Sequence, residues 1–202
     1  RQYGENHPRV SDTYFNLGHL YFQNGNNKKA IAYFEKAIEI DKLNEETQHR
    51  KLAHRYTSLS EAYFHENRFD LAIDYGKLAI GNYEKIDINP EFSATAYQNL
   101  GTIYQSVKDY KTALPYYQKA LSAFSTSTLE PASLDNPEVE IWSASERVYQ
   151  ILFEKIKTLE AWDREAPEHF KLEAALQSAE ALIKTTLAIQ QNMEGEISMF
   201  VF

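Results

Sequence analysis

Apolar and aromatic positions recur through the first 124 residues with a spacing that paired helices explain. Tyr14, Leu17, Gly18 and Tyr21 are followed by Ala30, Phe34 and Ala37. The same offsets return in Tyr56, Leu59, Ser60, Tyr63, Ala72, Gly76 and Ala79, and again in Tyr97, Leu100, Gly101, Tyr104, Ala113, Tyr117 and Ala120. Steps of 3, 1 and 3 place the two aromatics and the Leu on one helical face, with the small residue beside them. The second half of each unit repeats this with steps of 4 and 3. Each unit therefore reads as helix–turn–helix. The alanines let two helices come close, and the aromatics fill the space between successive hairpins. Three unrelated amphipathic hairpins would not reproduce seven offsets three times.

Turn residues separate the halves: Asn24-Gly25-Asn26-Asn27, Glu66-Asn67-Arg68 and Val107-Lys108-Asp109. Gly25 suits the positive φ that ends a helix and Asn67 tolerates it, whereas Lys108 suits it poorly. Asn89-Pro90-Glu91 and Asn136-Pro137-Glu138 each supply an Asn cap, a Pro at the first helical position and a carboxylate near the positive end of the helix dipole. Pro8 and Pro167 are placed similarly. Pro115 falls early in a second helix, where it requires a position in the first turn or a bend. Gly76, standing where an aromatic is expected, leaves either a gap or room for a neighbouring helix.

The pattern resembles the tetratricopeptide repeat, whose period is about 34 residues. Here the steps from Tyr14 to Tyr56 and from Tyr56 to Tyr97 are 42 and 41, roughly one more turn in each helix at 3.6 residues per turn. That long form resembles the repeats of kinesin light chains and of bacterial regulatory proteins. The lead-in Tyr3-Gly4-Glu5-Asn6-His7-Pro8 is similar to the connector between such repeats, so a further repeat is expected upstream. The resemblance implies an all-α, right-handed solenoid of three repeats, about 8–46, 47–88 and 89–124, within a region spanning 1–124.

Beyond the repeats, 125–136 reads as a Ser/Thr-rich linker. Two long helices are expected within 137–202. Val148, Leu152, Ile156, Leu159 and Trp162 form one stripe, with Trp142 a turn or two earlier. Leu172, Ala175, Leu176, Ala179, Leu182, Ile183, Thr186 and Met193 form the other. This order of repeats, linker and helical pair resembles bacterial proteins that place such repeats before a CHAT domain, a caspase-like cysteine protease module. The catalytic His and Cys of that family belong to the CHAT module, so the resemblance implies only an interaction or regulatory arm. The start at Arg1 and the apolar run Ile197–Phe202 lead to the expectation that the chain continues into another domain.

Composition narrows the chemistry. The 202 residues are 43% hydrophobic and 25% charged, with 7 Gly and 6 Pro, too apolar for a disordered chain. There is no Cys, which excludes disulfides, thiolate zinc sites and a cysteine nucleophile in these residues. The net charge of −8 opposes general nucleic-acid binding. Residues 1–125 carry 15 basic and 15 acidic groups and 126–202 carry 6 and 14, so all the excess acidity lies in the last part. No 18-residue apolar run is present, so no membrane insertion is expected. A cytoplasmic location is expected, any targeting signal lying outside this sequence.

No catalytic constellation emerges. His49 and His54 are five residues apart and diverge on a helix; His65-Glu66 lacks the second His of a helical zinc motif; His7, His19 and His169 stand alone. No cofactor or metal is expected, nor enzymatic activity. The better candidates are side chains turned toward the concave face of a helical array, the usual binding surface. By offset these are Asp12, Phe15, Asn16, His19, Phe22 and Gln23; then His54, Thr57, Ser58, Glu61, Phe64 and His65; then Thr95, Gln98, Asn99, Thr102, Gln105 and Ser106. Such a wall suits an extended peptide or a helix better than a phosphate chain. Asn16 and Asn99 share an offset at which, in the family, Asn commonly bonds a peptide backbone; the alternative is a bond to a neighbouring helix. Phe15, Thr57 and Gln98 share one register without a cation, against a carboxylate clamp. The sequence thus points to a non-catalytic protein- or peptide-binding scaffold. The alternative is a structural or sensor module of a signalling protein, such as a histidine kinase, whose groove is filled by its own flanking segments.

Overall fold

Six helices follow one another where the repeat places them: α1 (Pro8–Gln23), α2 (Asn27–Leu43), α3 (His49–His65), α4 (Phe69–Tyr83), α5 (Glu91–Ser106) and α6 (Tyr110–Ser122), with α7 (Glu146–Glu165) after them. The computed structural model describes residues 4–43, 49–86, 91–124, 146–167, 173–178 and 180–181, and no strand occurs among them. The Asn89 and Asn136 caps, the 125–136 linker, Trp142, and Leu172, Ala179 and everything beyond Ala181 lie outside the described residues. The chain divides into two units, 1–103 and 104–202, the break falling within α5.

One turn design is used three times. After α1 the Asn26 N–H donates to Tyr21 C=O at 2.8 Å and the Gly25 N–H to Phe22 C=O at 2.9 Å. After α3 the same pair runs from Arg68 to Tyr63 and from Asn67 to Phe64, at 3.0 and 2.9 Å. After α5 it runs from Asp109 to Tyr104 and from Lys108 to Gln105, at 2.9 and 3.0 Å. These paired bonds close the last carbonyls of a helix when the residue at the crest is left-handed. Gly25, Asn67 and Lys108 fill that place, with φ of 73°, 57° and 64°. The next helix then starts at once, capped by Asn26 onto the Lys29 N–H and by Asp109 onto the Thr112 N–H. Lys108 is thus held in the backbone region its side chain disfavours, because the turn geometry permits no other.

In the first unit the repeat alanines Ala30, Ala37, Ala72 and Ala79 are completely buried. Large and small residues interlock across them. The ring of Phe34 lies on bare backbone at Gly18, where a Cβ would come within 2.5 Å of it. In the second hairpin the small residues are Ser60 and Gly76, and a Cβ on Gly76 would meet Leu100 at 2.7 Å. Gly76 therefore admits a side chain from α5 rather than leaving a void. Serines tie helix to helix: Ser11 donates to Ala37 C=O at 2.9 Å and Ser60 to Ala72 C=O at 2.6 Å. Tyrosines form a second repeated motif. Tyr33 stacks on Tyr14 and Tyr21 with centroids 6.0 and 5.3 Å apart, and Tyr75 does the same with Tyr56 and Tyr63 at 6.0 and 5.4 Å.

The second unit carries its own core. Tyr104 stacks on Tyr116 at 5.5 Å, and the Tyr117 hydroxyl donates to Gln105 Oε1 at 2.9 Å. Pro115 sits beyond the first turn of α6, so the Lys111 carbonyl receives no bond from it; Lys111 is exposed, and water can serve that group. Val148, Leu152 and Leu159 of α7 are buried as their stripe requires, while Ile156 and Trp162 are partly so. Lys155 shares the buried face and reaches Gln118 Oε1 at 3.0 Å. In the following helical segment Ala174, Ala175 and Ser178 are buried, but Leu176 is exposed. The stripe is thus rotated from the expected one: at 100° per residue, a face centred on 174, 175 and 178 turns Leu176 away.

Gly18→Ala should lower stability to urea by about 1–3 kcal/mol, since the buried Phe34 ring must move, and Phe34→Leu in that background should recover part of the loss. Lys108→Gly should raise the melting temperature by about 2–4 °C, by removing the left-handed penalty from a chain of this size.

Candidate functional site

The wall expected to bind begins with the joint that holds α1 against α3. Arg55, one residue before the repeat tyrosine of α3, is fully buried, and so is Asp41 of α2. The Arg55 Nε donates to the Asp41 carboxylate, its other arm reaches Asp12 of α1 at 2.7 Å, and its Cζ lies 4.5 Å from the centre of the Phe15 ring. Lys51 completes the cluster, 2.8 Å from Asp12 and 3.6 Å from Asp41. A guanidinium stays charged when buried, so its burial is tolerable only when its donors are matched in this way.

Around this joint the expected residues divide. Phe15 is buried, ringed by Phe34, His19 and His54 with centroids 5.3, 4.5 and 5.2 Å away, so it supports the wall rather than standing open on it. Thr57 is buried as well and donates to Ala53 C=O at 2.9 Å. Ser58 meets His19 Nε2 at 3.4 Å. Farther along, Phe22 and Phe64 are half-buried and both flank the exposed His65, at 5.4 and 5.5 Å. Asn16 and Gln23 are exposed; Glu61, Thr95, Gln98 and Asn99 are half-buried. Thr102 turns its hydroxyl back onto Gln98 C=O at 3.1 Å. Gln105 and Ser106 belong to the second unit, where Gln105 accepts from Tyr117.

Asn16 and Asn99 make no side-chain hydrogen bond to a described residue, and the Asn99 Nδ2 is buried without an acceptor. Among the described residues, then, no neighbouring helix takes up either amide. Leaving a buried donor unmatched costs about 1–3 kcal/mol.

Electrostatics follow from the packing. Burial pushes His19 down from its ordinary 6.5, and the Arg55 charge adds to this. His54 is exposed as a residue, but desolvation of its ring beside Phe15, then His19 and Arg55, lower it. Partial burial pushes Asp12 up, but hydrogen bonds and charge from Lys51 and Arg55 together outweigh it and hold the carboxyl below 3.8. Burial raises Glu61, partly offset by His65. No group of three metal-ligating side chains occurs among the described residues, and no described helix is long and apolar enough to cross a membrane.

Tetratricopeptide repeat models match residues 1–43, 10–85 and 94–125, which together take in more than half the sequence. The chain belongs to the tetratricopeptide repeat family. Among solved structures it is similar to the kinesin light chain repeats of Podosopora anserina, at 20% identity and TM-score 0.53, over 94% of this chain and 92% of that one. MamA is similar at 22% identity and TM-score 0.54, over 86% and 81%, and BtubC from P. vanneervenii at 15% and 0.52, over 96% and 83%. These likenesses establish the fold. No curated protein sequence matches the chain.

As a tetratricopeptide repeat protein the chain is a scaffold of a kind that typically binds other proteins, and no catalytic family matches it. What sequence reading missed in these repeats is the Asp12–Asp41–Lys51–Arg55 joint. Its members follow no repeat offset: the places equivalent to Arg55 hold Thr13 and Ala96. The signal available was a charged residue at a place where the other two repeats carry small uncharged ones.

The histidine pair sets a pH dependence. Both rings have folded pKa values below the unfolded 6.5, so below that pH the unfolded chain takes up protons more readily and stability falls. The Asp12 contribution is complete above 3.8 and is lost only as pH falls through its lower folded value. Urea unfolding at pH 7.5 and 5.5 should show a loss at the lower pH that the His19→Gln, His54→Gln double variant reduces.

Proposed function

We propose that the chain is a non-catalytic peptide-binding scaffold whose ligand lies along the wall made by α1, α3 and the first part of α5. The observation that carries this reading is the combination of half-buried Phe22 and Phe64 with polar side chains that hydrogen-bond to no described residue, Asn16, Glu61 and Asn99. Aromatic rings supply contact area at small entropic cost, and primary amides donate and accept to an extended backbone. Asn16, His19, Gln23, Glu61, His65, Gln98 and Thr102 set register along that strand, while Phe15 and Thr57 hold the wall from beneath. A carboxylate clamp does not fit, because Arg55 and Lys51 are already engaged by Asp12 and Asp41.

This scaffold acts as the interaction or regulatory arm of a larger bacterial protein, for which a CHAT-type protease is our first choice. The family-like order of repeats, linker and acidic helical pair supports that assignment. The neutral repeats would receive the partner, and the excess acidity of 126–202 would belong to the connection.

Selection of 12-residue peptides against the intact chain should yield binders that Phe22→Ala with Phe64→Ala weakens about tenfold or more, as truncation of aromatic anchors does, with helicity unchanged by circular dichroism. Equal affinity in a folded double variant would reject the wall as the binding face.

A further inference from the structure

Charge along the wall is not evenly balanced. Asp12 is engaged by Lys51 and Arg55. Arg55 is buried and matched by two carboxylates, and His19 and His54 are kept neutral at physiological pH. Glu61 alone has no such answer: its half-buried carboxylate makes no hydrogen bond or ion pair with any described residue, and its one electrostatic neighbour is His65. Glu61, Phe64 and His65 stand at i, i+3 and i+4 of α3, hence on one face, and Phe22 of α1 closes on His65 at 5.4 Å. The anion therefore sits beside aromatic rings.

We infer that this place receives a lysine or arginine side chain of the bound peptide, its charge against the Glu61 carboxylate and its aliphatic stem along Phe22 and Phe64. The inference rests on the peptide-binding reading above and adds the chemistry of the ligand. A partly desolvated carboxylate without a partner is an unfavourable arrangement that a cation relieves and an anion worsens. Aromatic faces favour the same choice, since their negative quadrupole attracts ammonium and guanidinium groups. A glutamate or aspartate at the same position would meet Glu61 with only His65, among the described residues, to offset the repulsion.

The test uses the full 202-residue chain and a set of selected 12-residue peptides in which one central position is varied among Lys, Arg, Gln and Glu, read by fluorescence anisotropy at low and at 0.5 M salt. The Lys and Arg peptides should bind about tenfold more tightly than the Gln peptide, and the Glu peptide more weakly still, with the difference shrinking at high salt. Glu61→Gln should bring Lys and Gln peptides within about twofold while binding itself persists, and Glu61→Lys should reverse the preference toward Glu. If all four peptides bind alike, and Phe22→Ala with Phe64→Ala still weakens them, the wall stands and the cationic assignment falls. If no peptide in the set binds, or the aromatic variant has no effect, both readings fall.

Discussion

The buried guanidinium of Arg55, held between Asp41 and Asp12 beneath the Phe15 ring, is the constraint on which the first unit depends. It joins α1, α2 and α3 at one point. Removing Asp41 or Arg55, the buried members, leaves an uncompensated charge, which typically costs about 3–5 kcal/mol, about half of what a domain has in reserve. The geometry has electrostatic consequences as well. A fixed cation in the joint disfavours a second one nearby, which helps keep His19 and His54 neutral. The wall above it is therefore aromatic and weakly polar.

Regularity comes from the turns and heterogeneity from the helices. Each first helix of a hairpin ends in the same pair of backbone bonds, whichever residue occupies the left-handed position. Once the backbone is set in this way, side chains can be exchanged between partners. Gly18 with Phe34 becomes Ser60 with Gly76, and Leu100 takes the volume the missing ring would have filled. A small residue faces a large neighbour at both places, as dense packing demands.

What could be read from the amino acids alone follows from this division. The repeat, the helix order and the burial of the alanines were legible, because each obeys a period. The tyrosines Tyr33, Tyr75 and Tyr116 are equally periodic, one step before the aromatic column, and a wider comparison of columns would have found their stacks. Gly76 was visible as an exception, but its meaning lay in Leu100 of another helix. The Arg55 cluster was not legible, since it joins residues up to 43 apart that occur at one joint only. At the wall, offset picks out the aromatic residues but cannot distinguish Phe15, enclosed by rings and a guanidinium, from the half-buried Phe22. That difference depends on the neighbouring hairpin.

One asymmetry between the hairpins has a further consequence. Asp41 and Arg55 are both hidden at the first joint, whereas the corresponding places one repeat later hold Tyr83 and Ala96, also hidden but able to carry no opposed charges at neutral pH. Placing the second hairpin's Tyr83 against a copy of Arg55, or Asp41 against Ala96, would strand a charge in an apolar setting. Near-identical modules in one polypeptide risk being assembled out of order or traded between molecules. Here the first seam is charged where the next is not, a difference in polarity that disfavours exchanging the two.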